Sequence, residues 1–419
     1  MPSRPVCLIV ASTAPDAAAY RGYVLASIAA AFDVVLIAAA APTWERPHLI
    51  DFEIADPSDQ EALTAAGKAL AARHPVAGVM TWTEWHLVPA ARLARDLGLP
   101  SNLPVVMRAC RDKALSRSHF RHHDVPSAKS ISVATTTEAA AAAARIGYPV
   151  VLKPAAQAGS SGVIRVAHPI ELAAAYEIAA RARGTRVENT QILVEEYLDG
   201  PEVSVECATH RGSITVVAVT RKSLGPAPFF EETAHMVEAD DPLLATVAPV
   251  AKAALRAVGI TTGISHVEMR LTAAGPRLIE VNARLGGDLI GHLVQLATGV
   301  DLARAAADIA CGRAPDLTPT HSAVAGISFL YPDRPSRIRA LTIDPDVLAE
   351  PWCERIVAEK APGDLVAPPP AGGLDDRLAH IVVTASTPAQ YTRRAEEALR
   401  GVRADLEAVD AVTGERVAP

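Results

Sequence analysis

The sequence predicts a multidomain α/β and α+β protein, in which a small parallel α/β domain leads into strand-rich α+β units. Three observations carry this. The chain has 419 residues, and at roughly 150 residues per domain two to four units are expected. Its first hundred residues alternate continuous apolar runs with helical stretches, the pattern of strands buried on both faces of a parallel sheet. Between 201 and 284 strand follows strand, broken by one helix.

The elements follow in order. Residues 5–12 (PVCLIVAS) read as a buried strand. An Ala-rich helical stretch, a strand at 34–40, a helical segment near 58–73, a strand at 77–81 and a helix at 87–97 complete the first domain. No Gly-rich dinucleotide fingerprint is present, which argues against NAD binding. Residues 101–125 read as mostly helical. A strand at 129–134 precedes a helix opened by Thr135, with Glu138 at the capping-box spacing and Gly147 closing it. Strands at 149–154 and 163–167 flank a loop at 155–162; a helix at 170–183 and a strand at 191–195 follow. Strands at 202–208, 213–220, 265–271 and 277–282 surround a helix at 242–258, and helices near 288–296 and 300–311 come next. Short strands and loops, a strand at 379–384 and a helix at 387–407 end the chain, with the last ten residues expected to fray. The expected divisions are 1–108 (parallel α/β), 109–126 (helical connection), 127–198 (small α+β unit), 199–320 (large strand-rich unit) and 321–419 (C-terminal α+β).

Composition narrows the function. Half the residues are hydrophobic, enough for sizeable cores, and the net charge of −7 leaves no basic footprint for nucleic acid. Five scattered cysteines form no C-x-x-C pair, so a disulfide framework is not expected and a reducing cytoplasm is. No apolar run reaches the ~20 residues that span a bilayer.

Several constellations carry chemistry. Lys153 ends an apolar strand, where an ammonium is costly without a counter-charge that a triphosphate would supply. Gly159, Ser160, Ser161 and Gly162 follow, small residues whose N–H groups and hydroxyls can close over phosphate oxygens. Residues 195–202 (EEYLDGPE) join two strand-rich units and read as a hinge. Its backbone and carboxylates suit the edges of adenine, and Glu202 suits ribose hydroxyls. Residues 278–288 (LIEVNARLGGD) are the most informative. Strand alternation puts Leu278, Glu280, Asn282 and Arg284 on one face, with Ile279, Val281 and Ala283 behind. Hard oxygen ligands beside a guanidinium suit Mg²⁺ and a phosphoryl group. His266, Glu268 and Arg270 repeat the design on the preceding strand, and the short connection at 272–276 predicts a hairpin bringing Glu268 near Glu280. Two carboxylates that close call for a cation. Glu232 and His235 are expected on one helical turn, with His235 placed to hydrogen-bond the reacting carboxylate or phosphate. Trp82, Glu84, Trp85 and His86 lie at the end of the third expected strand, the edge that faces a ligand in open α/β sheets. Glu84 is expected to take a substrate amino group there.

In this order the motifs resemble the ATP-grasp superfamily: Arg111 and Lys113; Lys153 with the Gly159–Gly162 loop; Glu195, Glu196, Leu198, Gly200 and Glu202; Glu268; then Glu280, Asn282 and Arg284. The resemblance implies an ATP-grasp fold behind a Rossmann-like N-terminal domain, with ATP held between two lobes. It assigns Lys113, Lys153, Gly159, Ser160, Ser161 and Gly162 to phosphates. Glu195 or Glu196, with Tyr197 and Leu198, takes adenine, and Glu202 takes ribose. Glu268, Glu280 and Asn282 hold two Mg²⁺ ions, with Mn²⁺ as an alternative. Arg284, His235 and Lys153 are the implied catalytic residues. Glu84, Glu232, His235, Arg270, Gly286 and Gly287 are implied substrate contacts. Residues 283–302 resemble the L-amino-acid ligase branch, whose members are often homodimers. One departure is that no Gly occupies the Pro-x-Gly turn usual near 331–336. The implied reaction activates a small carboxylate as an acyl phosphate and passes it to an amine, releasing ADP and phosphate. A carboxylase working through carboxyphosphate and a non-catalytic nucleotide-binding module are the competing readings.

Overall fold

A computed structural model describes residues 4–12, 17–184 and 188–410. In chain order the strands and helices begin with β1 (Val6–Val10), α1 (Ala17–Ala29), β2 (Asp33–Ala38), β3 (Asp51–Ile54), α2 (Gln60–Arg73), β4 (Val76–Met80) and α3 (Leu87–Asp96). Next come α4 (Pro104–Arg111), α5 (Lys113–His122), β5 (Ser130–Val133), α6 (Thr136–Ile146), β6 (Val150–Pro154), β7 (Ile164–Val166), α7 (Leu172–Arg181) and β8 (Ile192–Glu196). The middle of the chain holds β9 (Glu202–His210), β10 (Ser213–Leu224), β11 (Glu232–Glu238), α8 (Leu244–Val258), β12 (Gly263–Thr272), β13 (Gly275–Asn282), α9 (Ile290–Thr298) and α10 (Leu302–Ala310). Last are β14 (Val324–Leu330), β15 (Ser336–Ile343), α11 (Pro345–Leu348), β16 (Cys353–Ala358), β17 (Leu365–Val366), β18 (Ala379–Ala385), α12 (Pro388–Arg400) and β19 (Val402–Ala408).

These elements form two compact units. The first gathers the described parts of Met1–Ser127, Asp199–Thr220 and Asp240–His321. Its N-terminal sheet is wholly parallel, in the order β3-β2-β1-β4. Every residue of β1 is buried, as the apolar run requires. Its second sheet region runs β13-β12-β9-β10 over a core that includes Val203, Val205, Val267, Met269, Leu278 and Val281. Asp112 divides the helical stretch at 101–125. Its carboxylate accepts from the N–H groups of Ala114 (2.9 Å) and Leu115 (3.3 Å), capping α5 and making Lys113 the first helical residue.

The second unit gathers Ala128–Leu198, Arg221–Ala239 and the described part of Ser322–Pro419. One antiparallel sheet runs β5-β8-β6-β7, covered by α6 and α7 over a core of Val133, Leu152, Ile164, Ile192 and Val194 among others. Thr135 caps α6 as predicted, its Oγ1 accepting from Glu138 N (3.2 Å), but the capping box is half formed, because Glu138 Oε2 accepts from Ala134 N (2.7 Å) and not from Thr135 N. The C-terminal part holds β11-β14-β18-β16 and β17-β15-β19, with α12 laid on β14 and β18.

Four local expectations need correction. Asp51–Ile54 is a strand, missed because an edge strand of half-buried residues lacks a continuous apolar run. Glu232–Glu238 is a strand paired with β14, not a helical turn. The last helix stops at Arg400, and the alternating VRADLEA that follows pairs with β15 as β19. The fourth is the face of Leu278, described below. Of the ten C-terminal residues expected to fray, 411–419 lie outside the described residues.

Candidate active site

In the first unit, β12 and β13 pair antiparallel with Glu268 opposite Glu280 and His266 opposite Asn282. On the other side of β12, β9 sets Glu206 opposite His266 and Glu202 opposite Arg270. Directly opposed side chains share a face, with Cβ atoms roughly 5 Å apart. The hairpin therefore brings together the two carboxylates singled out in the sequence. The register slips by one residue between Glu268 and Met269, so that Leu278 opposes Met269. This bulge rotates Leu278 away from the acidic face and into the core beside Val281 and Ala283, contrary to simple alternation. The carbonyl of Ile279, at the bulge, accepts from Arg117 Nη2 at 2.7 Å.

Cations balance this acidic face. Lys113 Nζ lies 2.9 Å from Glu280 Oε1. Asn282 Nδ2 donates to Glu268 Oε1 at 3.4 Å. His266 faces Glu268 Oε1 through Nε2 (3.0 Å) and Glu206 Oε1 through Nδ1 (2.8 Å). Burial pushes the His266 imidazole down, but the two carboxylates outweigh it and hold the ring charged, with a pKa of about 9. A hard divalent ion takes oxygen donors, and this face offers two carboxylates and an amide. Lys113 and His266 supply the positive charge that such an ion would bring. The donor set fits.

Arg284 follows the end of β13. Its Nε donates to Glu84 Oε2 (2.5 Å), while Arg111 Nη1 donates to Glu84 Oε1 (3.0 Å). Burial raises the Glu84 carboxyl, but the guanidiniums of Arg284 and Arg111 overcome this and hold it below its ordinary range. Glu84 thus faces two guanidiniums, an arrangement that its place at a strand end does not reveal in the sequence. Arg111 lies 4.4 Å from the Trp85 ring centroid; Trp82 is buried. A Cβ at Gly286 would come within 3.0 Å of His266 Nδ1, whereas Gly287 has open space around it. Arg270 and Glu202 hold each other at 3.1 Å, and Arg270 Nη1 donates to Gly200 O at 3.2 Å. Gly200 adopts φ 133°, and a side chain there would strike the carbonyl of Leu271.

In the second unit, Lys153 Nζ sits 2.7 Å from Glu195 Oε2, with both side chains buried. The counter-charge expected from a triphosphate is therefore already present as a carboxylate. The loop after Lys153 has left-handed residues at Gly159, Ser160 and Gly162. Glu196 Oε2 accepts from Lys129 N at 3.3 Å, Arg165 lies 4.8 Å from the Tyr197 ring centroid, and Leu198 is buried.

A second group of charges surrounds His235. Glu232 lies 2.6 Å from Lys222 Nζ and 3.8 Å from His235 Nε2. His235 meets Phe329 edge-on at 5.8 Å. Arg377 stacks 3.5 Å from the Phe329 centroid and donates to Tyr331 Oη (2.8 Å), which donates to Glu232 O (3.1 Å). Lys222, Tyr331 and Arg377 were not singled out from sequence. Tyr331 lies 99 residues from Glu232 and Arg377 a further 46 from Tyr331, none of the three carries a motif, and only strand pairing assembles them. Glu206 was also missed, although a carboxylate inside the apolar run VSVECA was a visible signal.

Among the described residues no helix is long and apolar enough to cross a membrane. Residues 26–101 match the family model of the ATP-grasp N-terminal domain, 146–292 that of the ATP-grasp domain, and 328–407 that of the L-amino acid ligase C-terminal domain 2. Carnosine synthase 1 of Homo sapiens is 29% identical over 270 residues, covering 59% of this chain and 32% of that protein. The alanine–anticapsin ligase of Bacillus subtilis is 28% identical over 267 residues, covering 58% and 56%. The chain thus spans about a third and just over half of these relatives' lengths. The crystal structure of an L-amino acid ligase from Bacillus licheniformis shares the fold, with TM-score 0.80, 21% identity and coverage of 96% and 99%. With the three domain matches in order along the chain, it belongs to the ATP-grasp superfamily of ATP-dependent ligases, in the carboxylate–amine ligase branch.

Proposed function

We propose that this chain phosphorylates the carboxylate of an amino acid or small acid with ATP and transfers the acyl group to an amine, forming an amide and releasing ADP and phosphate. The observation that carries the reading is the opposed pair Glu268 and Glu280, with Asn282 ending the same strand and Arg284 two residues beyond it. A carboxylate is a poor electrophile, and phosphorylation turns its oxygen into a leaving group. The protein's part is positioning and charge stabilisation. Glu268, Glu280 and Asn282 would hold two Mg²⁺ ions. Bound there, the ions would neutralise phosphate charge and polarise the transferred phosphoryl group.

Lys113 and Lys153 contact phosphates, and both are preset by carboxylates that exchange partner when nucleotide arrives. Gly159, Ser160, Ser161 and Gly162 close on phosphate oxygens. Glu195 or Glu196, with Tyr197 and Leu198, takes adenine, and Glu202 takes ribose. Arg284 stabilises the transferred phosphoryl group and the tetrahedral intermediate; Glu84 sets its direction and shares a carboxylate oxygen with a substrate amine. His235 binds the reacting carboxylate, flanked by Glu232. Arg270, Gly286 and Gly287 complete the substrate contacts. The names of the relatives support amino acids as both partners. Five free cysteines support a reducing, cytoplasmic setting.

The test is ADP release with ATP and Mg²⁺ over amino acids offered singly and in pairs, followed by product mass. The expected result is release that needs both partners and a product lighter than their sum by one water. Bicarbonate-dependent release without an amine, or no nucleotide turnover with any pool, would overturn the reading.

A further inference from the structure

Behind the acidic face lies a buried pair that the proposed reaction leaves without a task. Glu206 and His266 are both buried, on neighbouring strands and in direct register. Glu206 Oε1 receives His266 Nδ1 (2.8 Å), Ser204 Oγ (2.9 Å) and Thr220 Oγ1 (3.5 Å). The other ring nitrogen of His266 meets Glu268 Oε1 at 3.0 Å. A buried carboxylate is expensive unless paired, so its presence in the buried middle of β9 needs a reason.

We propose that Glu206 and His266 form a positioning relay that fixes the Glu268 carboxylate for a divalent cation. The inference rests on the reading of Glu268 as a metal ligand. Each link has restricted freedom. Glu206 is anchored by two hydroxyls on its own sheet. The imidazole is held at both nitrogens, which sets its plane. The backbone at Gly286 closes the remaining side, since even a Cβ there would lie 3.0 Å from His266 Nδ1. The Glu268 carboxylate meets His266 and Asn282 through Oε1, which limits rotation about its side-chain bonds. Partners that orient a metal ligand by hydrogen bonding are a general feature of metal sites.

The test uses the full chain with ADP and Mn²⁺ as probe, reading free Mn²⁺ by electron paramagnetic resonance. Circular dichroism checks the fold of each variant. His266→Gln and Glu206→Ala should weaken Mn²⁺ binding by about tenfold to hundredfold, the range for lost orienting partners. Glu206→Gln keeps an acceptor for Nδ1 and should recover most of the affinity. In turnover, the Mg²⁺ concentration for half-activation should rise while kcat at saturating Mg²⁺ is largely restored; a merely structural role would lower kcat at every Mg²⁺ level. Wild-type Mn²⁺ affinity in a folded His266→Gln or Glu206→Ala protein overturns the relay. Failure of the unaltered protein to bind Mn²⁺ with ADP would instead overturn the metal reading on which it rests.

Discussion

Replacing Lys153 tests catalysis and stability together, because the lysine is one half of a buried ion pair. Its ammonium lies 2.7 Å from Glu195, and both side chains are about 95% buried. At an effective dielectric constant near 20 the attraction is about 6 kcal/mol. Desolvating the two charges costs a comparable amount, so the intact pair contributes little net stability. Lys153→Ala removes the attraction but leaves the Glu195 penalty, and a loss of about 3–5 kcal/mol is expected. Lys153→Met with Glu195→Leu removes both charges and keeps volume, so stability should return to near the original value. Urea denaturation of the three proteins gives the cycle, and ADP release gives the activity. The double variant should be stable and inactive. Wild-type stability in Lys153→Ala would refute the pairing argument; amine-dependent turnover in the stable double variant would refute the phosphate role of Lys153.

Two further outcomes follow from other sites. His86 is buried, bonded to Ser12 Oγ at 3.0 Å through Nε2, and burial lowers its pKa from 6.5 to about 4. The unfolded chain then binds the extra proton between pH 6.5 and 4 while the folded one does not, so stability should fall by about 3 kcal/mol as pH drops across that window. His86→Phe should flatten that part of the pH profile in thermal melts, and an unchanged slope would refute the assignment. A Cβ at Gly78 would meet the Ala310 carbonyl at 2.4 Å, whereas one at Gly22 in α1 meets nothing within 4 Å. Gly78→Ala should therefore cost about 1–3 kcal/mol or more by separating β4 from α10, while Gly22→Ala should stabilise by roughly 0.5–1 kcal/mol. Equal midpoints in urea would contradict the packing.

Much of the scaffold is legible in the sequence because its periodicities are local. The apolar run of β1, the Thr135 cap and the turn at 272–275 each lie within a dozen residues. The hairpin that opposes Glu268 and Glu280 follows from two strands and a short turn, without long-range information. Where local pattern was ambiguous, the reading failed. An i,i+3 Glu–His pair suits a helix, but Glu232–Glu238 pairs as a strand with β14, about ninety residues on. A bulge breaks strict alternation at Ile279, and nothing in LIEVN marks it.

Residue types and their order along the chain determined which chemistry is present: hard oxygen donors, a guanidinium and two lysines in the family's sequence. Tertiary structure decided how those charges are balanced. Lys153 neutralises Glu195, Lys113 neutralises Glu280, and Glu84 joins Arg111 to Arg284 across some two hundred residues. Buried charge must find an opposite partner, and which partner it finds depends on distances that only folding creates.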